Sequence, residues 1–206
     1  IPEELHIPFL MLSFVDEIQV ELAERITGVE DIDIILSELT QENLFIYNLD
    51  KEYTNFRFHH LFQEFLQERA GKVLEAGKIR QIYADTASYY LEKDQIDKAL
   101  TCYQQGGDFD QMDELLKTYG LTILAKNRTL TILSLLQSIP DKTLFQYGWM
   151  TLFSGLLLSD FQPEKTLPYL DAARVHFNNS GEEKGELIAL AQILYYHFVV
   201  SGNYHK

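Results

Sequence analysis

Between Asn55 and Leu66 the hydrophobic period of this chain changes from two to 3.6, and that change constrains the fold more than any other feature of its 206 residues. Phe56 and Phe58 alternate with Arg57, whereas Leu61, Phe62, Phe65 and Leu66 recur at helical spacing. A strand therefore runs directly into a helix, and His59 and His60 fall at the helix N-terminus. Such an end presents unpaired N–H groups and the positive pole of the helix dipole, so it suits a phosphate with an imidazole as an extra donor. The bland alternative is that both histidines cap the helix or fill the base of the hairpin.

The strand needs a partner. Leu44-Phe45-Ile46-Tyr47 supplies one, joined to Asn55-Phe56-Arg57-Phe58 by the polar segment Asn48 to Thr54, which suits a hairpin with a longer loop. A two-stranded hairpin is too small to stand alone, so its aromatic face must pack on helices. Three apolar stripes precede it: Ile7, Leu10, Met11 and Phe14; then Ile18, Leu22 and Ile26; then Ile32, Ile35, Leu36 and Leu39. Asp16 is the expected N-cap of the second helix and Gly28 its C-terminal stop. Three helices, a hairpin and a helix make a winged-helix domain over residues 1–72.

From residue 73 to 206 every segment reads as helical, which makes the fold mainly α. Ile79, Ile82, Tyr83, Ala87 and Tyr90 form one stripe; Ile96, Ala99, Leu100 and Tyr103 a second; Phe109, Met112, Leu115 and Leu116 open a third. Breaks are expected at Lys93-Asp94-Gln95, Gly107-Asp108, Ser159-Asp160 and Gly202-Asn203. Phe161 and Tyr204 lie 43 residues apart, within the range of helical-pair repeats, so an α-solenoid of TPR-like helical hairpins is predicted. Ala87, Tyr90, Ala99 and Tyr103 match the small and aromatic positions of a tetratricopeptide hairpin.

Composition narrows function by exclusion. No run approaches the roughly 18 apolar residues of a membrane span. One cysteine, Cys102, excludes an internal disulfide and fits a reducing cytoplasm. Net charge is −14, and residues 1–72 carry 15 acidic and 5 basic residues, a net of −10. The third helix region holds Glu30, Asp31, Asp33, Glu38 and Glu42 with no Lys or Arg, so direct DNA binding by this winged helix is not expected. No enzyme site emerges. Gly71 to Gly77-Lys78-Ile79 departs from a phosphate-binding loop in spacing and lacks the Mg-binding hydroxyl, so it reads as a linker. Glu64 and Glu68 share a solvated face with Arg69 and Lys72, no third ligand joins His59 and His60 at metal spacing, and His176, His197 and His205 are isolated. Asn127-Arg128-Thr129 is a chance glycosylation sequon. The start at Ile1 without a signal pattern, and the stop where another helix is due, predict a piece of a larger protein.

Phe56-Arg57-Phe58-His59-His60-Leu61-Phe62-Gln63-Glu64-Phe65-Leu66, preceded by Leu44-Phe45-Ile46 and Leu49-Asp50, resembles the winged-helix arm of MalT-like transcription activators, the large ATP-dependent regulators of the LuxR type. Ile96-Asp97-Lys98-Ala99-Leu100, Gly106-Gly107-Asp108-Phe109 and Ile139-Pro140 resemble the start of that family's helical sensor region. The resemblance implies a signal-transduction ATPase of the STAND class. Its parent protein would bind ATP or ADP with Mg, sense an inducer on the helical repeats and bind DNA through a further domain; the chain itself would carry no cofactor and no nucleic acid. In this class a Met-His-Asp motif on the winged helix touches the ADP phosphate and holds the resting state closed. Phe58-His59-His60 resembles it, which assigns the phosphate contact to His59 and puts His60 where the aspartate stands. The expected partner of the arm is then its own nucleotide-binding domain. The alternative is a TPR-like scaffold that binds a protein and has no nucleotide switch.

Overall fold

The computed structural model describes residues 3–41, 45–125 and 129–200. The expected sites at Leu44, at Asn127-Arg128 and beyond residue 200 lie outside them. Compactness divides the chain into 1–107 and 108–206. The protein is mainly α, with a winged-helix domain followed by helical hairpins.

The first unit begins with α1 (His6–Leu12), β1 (Ile18–Gln19), α2 (Val20–Thr27) and α3 (Ile32–Gln41). β2 (Ile46–Asn48), β3 (Asn55–Phe58) and α4 (His60–Val73) follow. Asn55–Phe58 is a strand as its alternation requires, with Phe56 and Phe58 buried and Arg57 exposed. The sheet has one strand more than the expected hairpin. Ile18 pairs with Phe56 and Gln19 with Asn55, both antiparallel, so the order is β1-β3-β2. Ile18 thus starts no helix: α2 begins at Val20 with Gln19 in extended conformation at its N-cap, and Asp16 caps nothing. A strand of two residues has no period to read, and only the neighbouring strand makes it extended. Gly28 ends α2 as expected, at φ 69°, with its N–H donating to Glu24 O at 2.8 Å.

The core of this domain joins Phe9 and Leu12 of α1, Ile18, Ile32, Leu36, Phe56, Phe58 and Leu66. Two stripes are less buried than their spacing suggests. Ile7 is exposed, and on α4 Leu61 and Phe65 are 62% and 54% exposed while Leu66 and Ala70 face the core. Glutamines do part of the tethering: Gln63 and Gln67 donate side-chain amides to Ser13 O at 2.9 and 2.7 Å, fixing α4 to the end of α1.

α5 (Ala76–Glu92) and α6 (Ile96–Gly106) complete the first unit as a helical hairpin. The segment Gly71 to Lys78 is helix on both sides, with only Leu74 and Glu75 between α4 and α5. Ile82, Ala87, Tyr90, Ala99, Leu100 and Tyr103 are buried as their spacing requires, while Ile79 and Ile96 are half-buried. The acidic side of the winged helix grips this hairpin. Lys98 pairs with Glu17 at 2.9 Å, Lys93 with Glu21 at 2.8 Å and Arg25 with Glu92 at 2.8 Å, and Tyr89 donates to Gln19.

In the second unit α7 (Phe109–Ala125), α8 (Thr129–Gln137), the single turn α9 (Asp141–Leu144), α10 (Gly148–Phe161), α11 (Pro163–Ser180) and α12 (Glu183–Tyr195) follow one another. Met112, Leu115 and Leu116 of α7 are buried and Phe109 is half-buried. α10 is buried on nearly every face, with Trp149, Met150, Leu152, Phe153, Leu157 and Leu158 all inside, so it shows no one-sided stripe. α7, α8, α11 and α12 surround it. The expected break at Ser159-Asp160 is instead the last turn of α10. The chain turns at Gln162, where Pro163 opens α11 with a ring that needs no helical N–H. A further stop, Gly181 at φ 71°, ends α11. Among the described residues no helix is long and apolar enough to cross a membrane.

Candidate functional site

The two histidines lie at the strand-to-helix junction that the change of period predicts. β3 delivers His59 in extended conformation, φ −60° and ψ 134°, as the N-cap of α4. Its backbone is fully used: the N–H donates to Phe45 O at 2.7 Å, and its carbonyl accepts from Phe62 N and Gln63 N, both at 2.9 Å. Its side chain makes no capping hydrogen bond. His59 is therefore the N-cap by position and not through a side-chain hydrogen bond, and its half-buried ring beside Tyr47 fits the alternative that it fills the base of the hairpin.

The His59 ring instead stacks on His60, centroids 4.5 Å apart, and lies 5.8 Å from the Tyr47 ring. His59 is half-buried and His60 exposed. Neither imidazole hydrogen-bonds to a described residue. The amides of His60 and Leu61, in the first turn of α4, have no acceptor among the described residues. No acidic residue stands in that turn, so the positive end of the helix is not neutralised locally. Two amide donors, two imidazoles and a helix pole are therefore free to meet an anion from outside the chain.

Aromatic packing fixes this junction. Phe58 meets Phe9 and Phe62 edge-on at 5.8 and 5.6 Å, and Phe45 stacks on Phe62 at 5.2 Å. The loop of the wing is tied by Asp50, whose carboxylate accepts from Thr54 N at 2.9 Å, Thr54 Oγ1 at 2.6 Å and the Asn55 side-chain amide. Those bonds, first among them that of the Thr54 hydroxyl, hold the Asp50 carboxyl down at about 2. Spacing gave no hint of Asp50 beyond its place in the turn; an Asp four residues before a Thr-Asn pair is the local signal that fits an Asx-type tie.

His176 and His197 lie in the second unit, each with its ring against a neighbouring aromatic, and His205 lies outside the described residues. Among the described residues no three His, Cys, Asp or Glu side chains gather as a metal site. Cys102 is buried, and burial first, then the Asp16 carboxylate, pushes its thiol up to about 12.

The first unit is therefore a winged helix whose fourth helix starts at His59 and His60, extended by a helical hairpin. Residues 1–77 match the family model of the MalT winged helix domain. Over 151 residues, 72% of this chain, the sequence is 28% identical to the HTH-type transcriptional regulator MalT of Vibrio parahaemolyticus serotype O3:K6 (strain RIMD 2210633). It is 28% identical, over the same share, to that of Vibrio campbellii (strain ATCC BAA-1116). The chain spans 16% of the length of each of these relatives. It is MalT-like, and its first 77 residues are a winged helix domain of the MalT type.

Proposed function

We propose that this chain is the regulatory portion of a MalT-like transcription regulator, in which the winged helix holds an ATPase switch closed and the helical hairpins couple it to an inducer. One observation carries the reading: His59 stands at the N-terminus of α4 with its imidazole unused, beside two free amides and no carboxylate in the first turn. These donors fit a nucleotide phosphate, which would be supplied by the parent protein's own nucleotide-binding domain with ADP, or ATP and Mg, bound there. His59 donates to the phosphate in the resting state, and His60 supports its ring by stacking. Inducer on the helical region favours the open form, the His59 contact is released, and ADP exchanges for ATP. The chain is not itself an enzyme, and its place is the cytoplasm.

The winged helix does not read DNA in this scheme. α3, the element that would enter the major groove, carries Asp33 and Glu38 and no basic residue. Its neighbour α2 spends its charges on the helical hairpin, through Glu21 and Arg25.

The test is His59→Ala in the full-length regulator. A charge-assisted hydrogen bond of roughly 1.5–3 kcal/mol is lost, so ADP should leave about ten-fold faster or more, and basal transcription without inducer should rise. Unchanged ADP release at normal protein levels would refute the phosphate contact and leave a protein-binding scaffold of helical hairpins as the better reading.

A further inference from the structure

A cleft of about 200 Å³ opens in the first unit where the turn before β1 and the outer face of β3 meet the α5–α6 hairpin. Four charged side chains, Asp16, Glu17, Arg57 and Lys98, line it. Glu17 has both carboxylate oxygens occupied, Oε1 by Arg57 Nη2 at 3.1 Å and Oε2 by Lys98 Nζ at 2.9 Å. Arg57 also donates Nε to Asp16 O at 3.3 Å, which leaves its Nη1 with no acceptor among the described residues. Beside it the Asp16 carboxylate receives neither a hydrogen bond nor an ion pair among the described residues, yet it lines the same cleft. Two carboxylates face two cations, so a ligand of either net charge would upset the balance, whereas one bearing both signs would engage the free groups and preserve it. The remaining wall is mixed: Phe14 and Val15 are apolar, and Tyr90, with Lys98 Nζ 5.2 Å over its ring, and Gln105 offer a hydroxyl and a side-chain amide that make no hydrogen bond to a described residue.

Size narrows the class further. Drug-sized ligands occupy pockets of roughly 300–1,000 Å³, so this cleft admits something nearer an amino acid. We propose that the cleft between the winged helix and the α5–α6 hairpin binds a small zwitterion of the α-amino-acid class, its ammonium on Asp16, its carboxylate on the free edge of Arg57 and its side chain against Phe14 and Val15. Because the walls come from both the winged helix and the hairpin, occupancy tightens their association. Occupancy as the inducing signal rests on the switch proposed above; binding itself does not.

The experiment is a calorimetric titration of this chain with the proteinogenic L-α-amino acids. The corresponding amines and carboxylic acids, each lacking one charged group, and an uncharged polyol serve as comparisons. At least one amino acid is expected to saturate a single site, with the singly charged analogues at least ten-fold weaker. Asp16→Asn, which breaks no contact of the fold, should weaken binding at least ten-fold, and Thr101→Trp, which fills the cleft from α6, should abolish it with the far-ultraviolet circular dichroism retained. His59→Ala should bind as the wild type does. No saturable binding up to about 20 mM would overturn the proposal, as would an equal preference for the polyol or for a singly charged analogue, or an Asp16→Asn variant that binds like the wild type. Any of these results leaves the His59 contact standing, since that is read from nucleotide release, and unchanged ADP release in His59→Ala leaves the cleft to stand or fall on the titration.

Discussion

Replacing Gly185 by alanine should destabilise the second unit, although alanine is the better helix former. Gly185 is in the first turn of α12, and a Cβ there would sit 2.7 Å from three ring carbons of Phe177. Ordinary carbon contacts are about 3.5–4.0 Å, so the ring would have to retreat by about 1 Å. It has nowhere to go. Phe177 is 1% exposed, Gly148 also packs against its ring so closely that a Cβ there would meet it at 2.6 Å, and the Trp149 ring centroid lies 5.0 Å away. Overpacking of this kind costs about 1–3 kcal/mol, against a propensity gain of about 0.5–1 kcal/mol for alanine over glycine. The net expectation is a loss of about 1 kcal/mol, and at most about 2.5 kcal/mol, read as a lower urea midpoint at unchanged slope. Trp149, the single tryptophan, reports it by fluorescence from beside the strained ring. Trimming Phe177 to leucine in the Gly185→Ala background should recover part of the loss, as coupled neighbours do. A Gly185→Ala variant as stable as the wild type, or more so, would refute the argument, because it would mean that the ring has room the packing denies it.

Two other substitutions probe electrostatics. Asp113 of α7 is half-buried, and desolvation pushes its carboxyl up to about 6 although it accepts a hydrogen bond from Met150 N at 2.7 Å at the start of α10. A folded pKa above the unfolded one means that stability is highest below about 4 and falls as pH rises through 4 to 6; Asp113→Asn keeps the acceptor, so it should remove that slope and gain about 1–2 kcal/mol at pH 7 in urea titrations. Glu17→Gln breaks the pairs to Lys98 and Arg57, both side chains more than a third exposed, and should cost about 0.5–1 kcal/mol at low salt and much less near 1 M salt.

The candidate site was legible in the sequence because its two signals are local. Alternation through Phe56 and Phe58 fixes a strand, helical spacing after them fixes α4, and the junction can only fall at His59 and His60. What the histidines do there was not legible. Whether an imidazole caps its own helix or stays free depends on where Phe45 and Tyr47 sit across the sheet, and those contacts are set by strand pairing. The resemblance to MalT-like regulators rested on that same stretch, and the match of residues 1–77 to the MalT winged helix domain agrees with it.

Periodicity and punctuation by themselves determined that the chain is mainly α, that residues 55–58 are a strand, that Gly28 and Gly107 stop helices and that Ala87, Tyr90, Ala99 and Tyr103 turn inward. These outcomes depend on neighbours within a few residues, where backbone sterics and hydrophobic spacing decide. Tertiary structure alone decided that Ile18-Gln19 is a third strand, that Leu61 and Phe65 stay outside, that α10 is enclosed on all sides and that Asp113 receives its amide. It also decided that the acidic winged helix spends its charge on Lys93, Lys98 and a cleft beside Arg57. In each of these the partner is more than 30 residues away or is a whole packed face, and no local pattern carries that information.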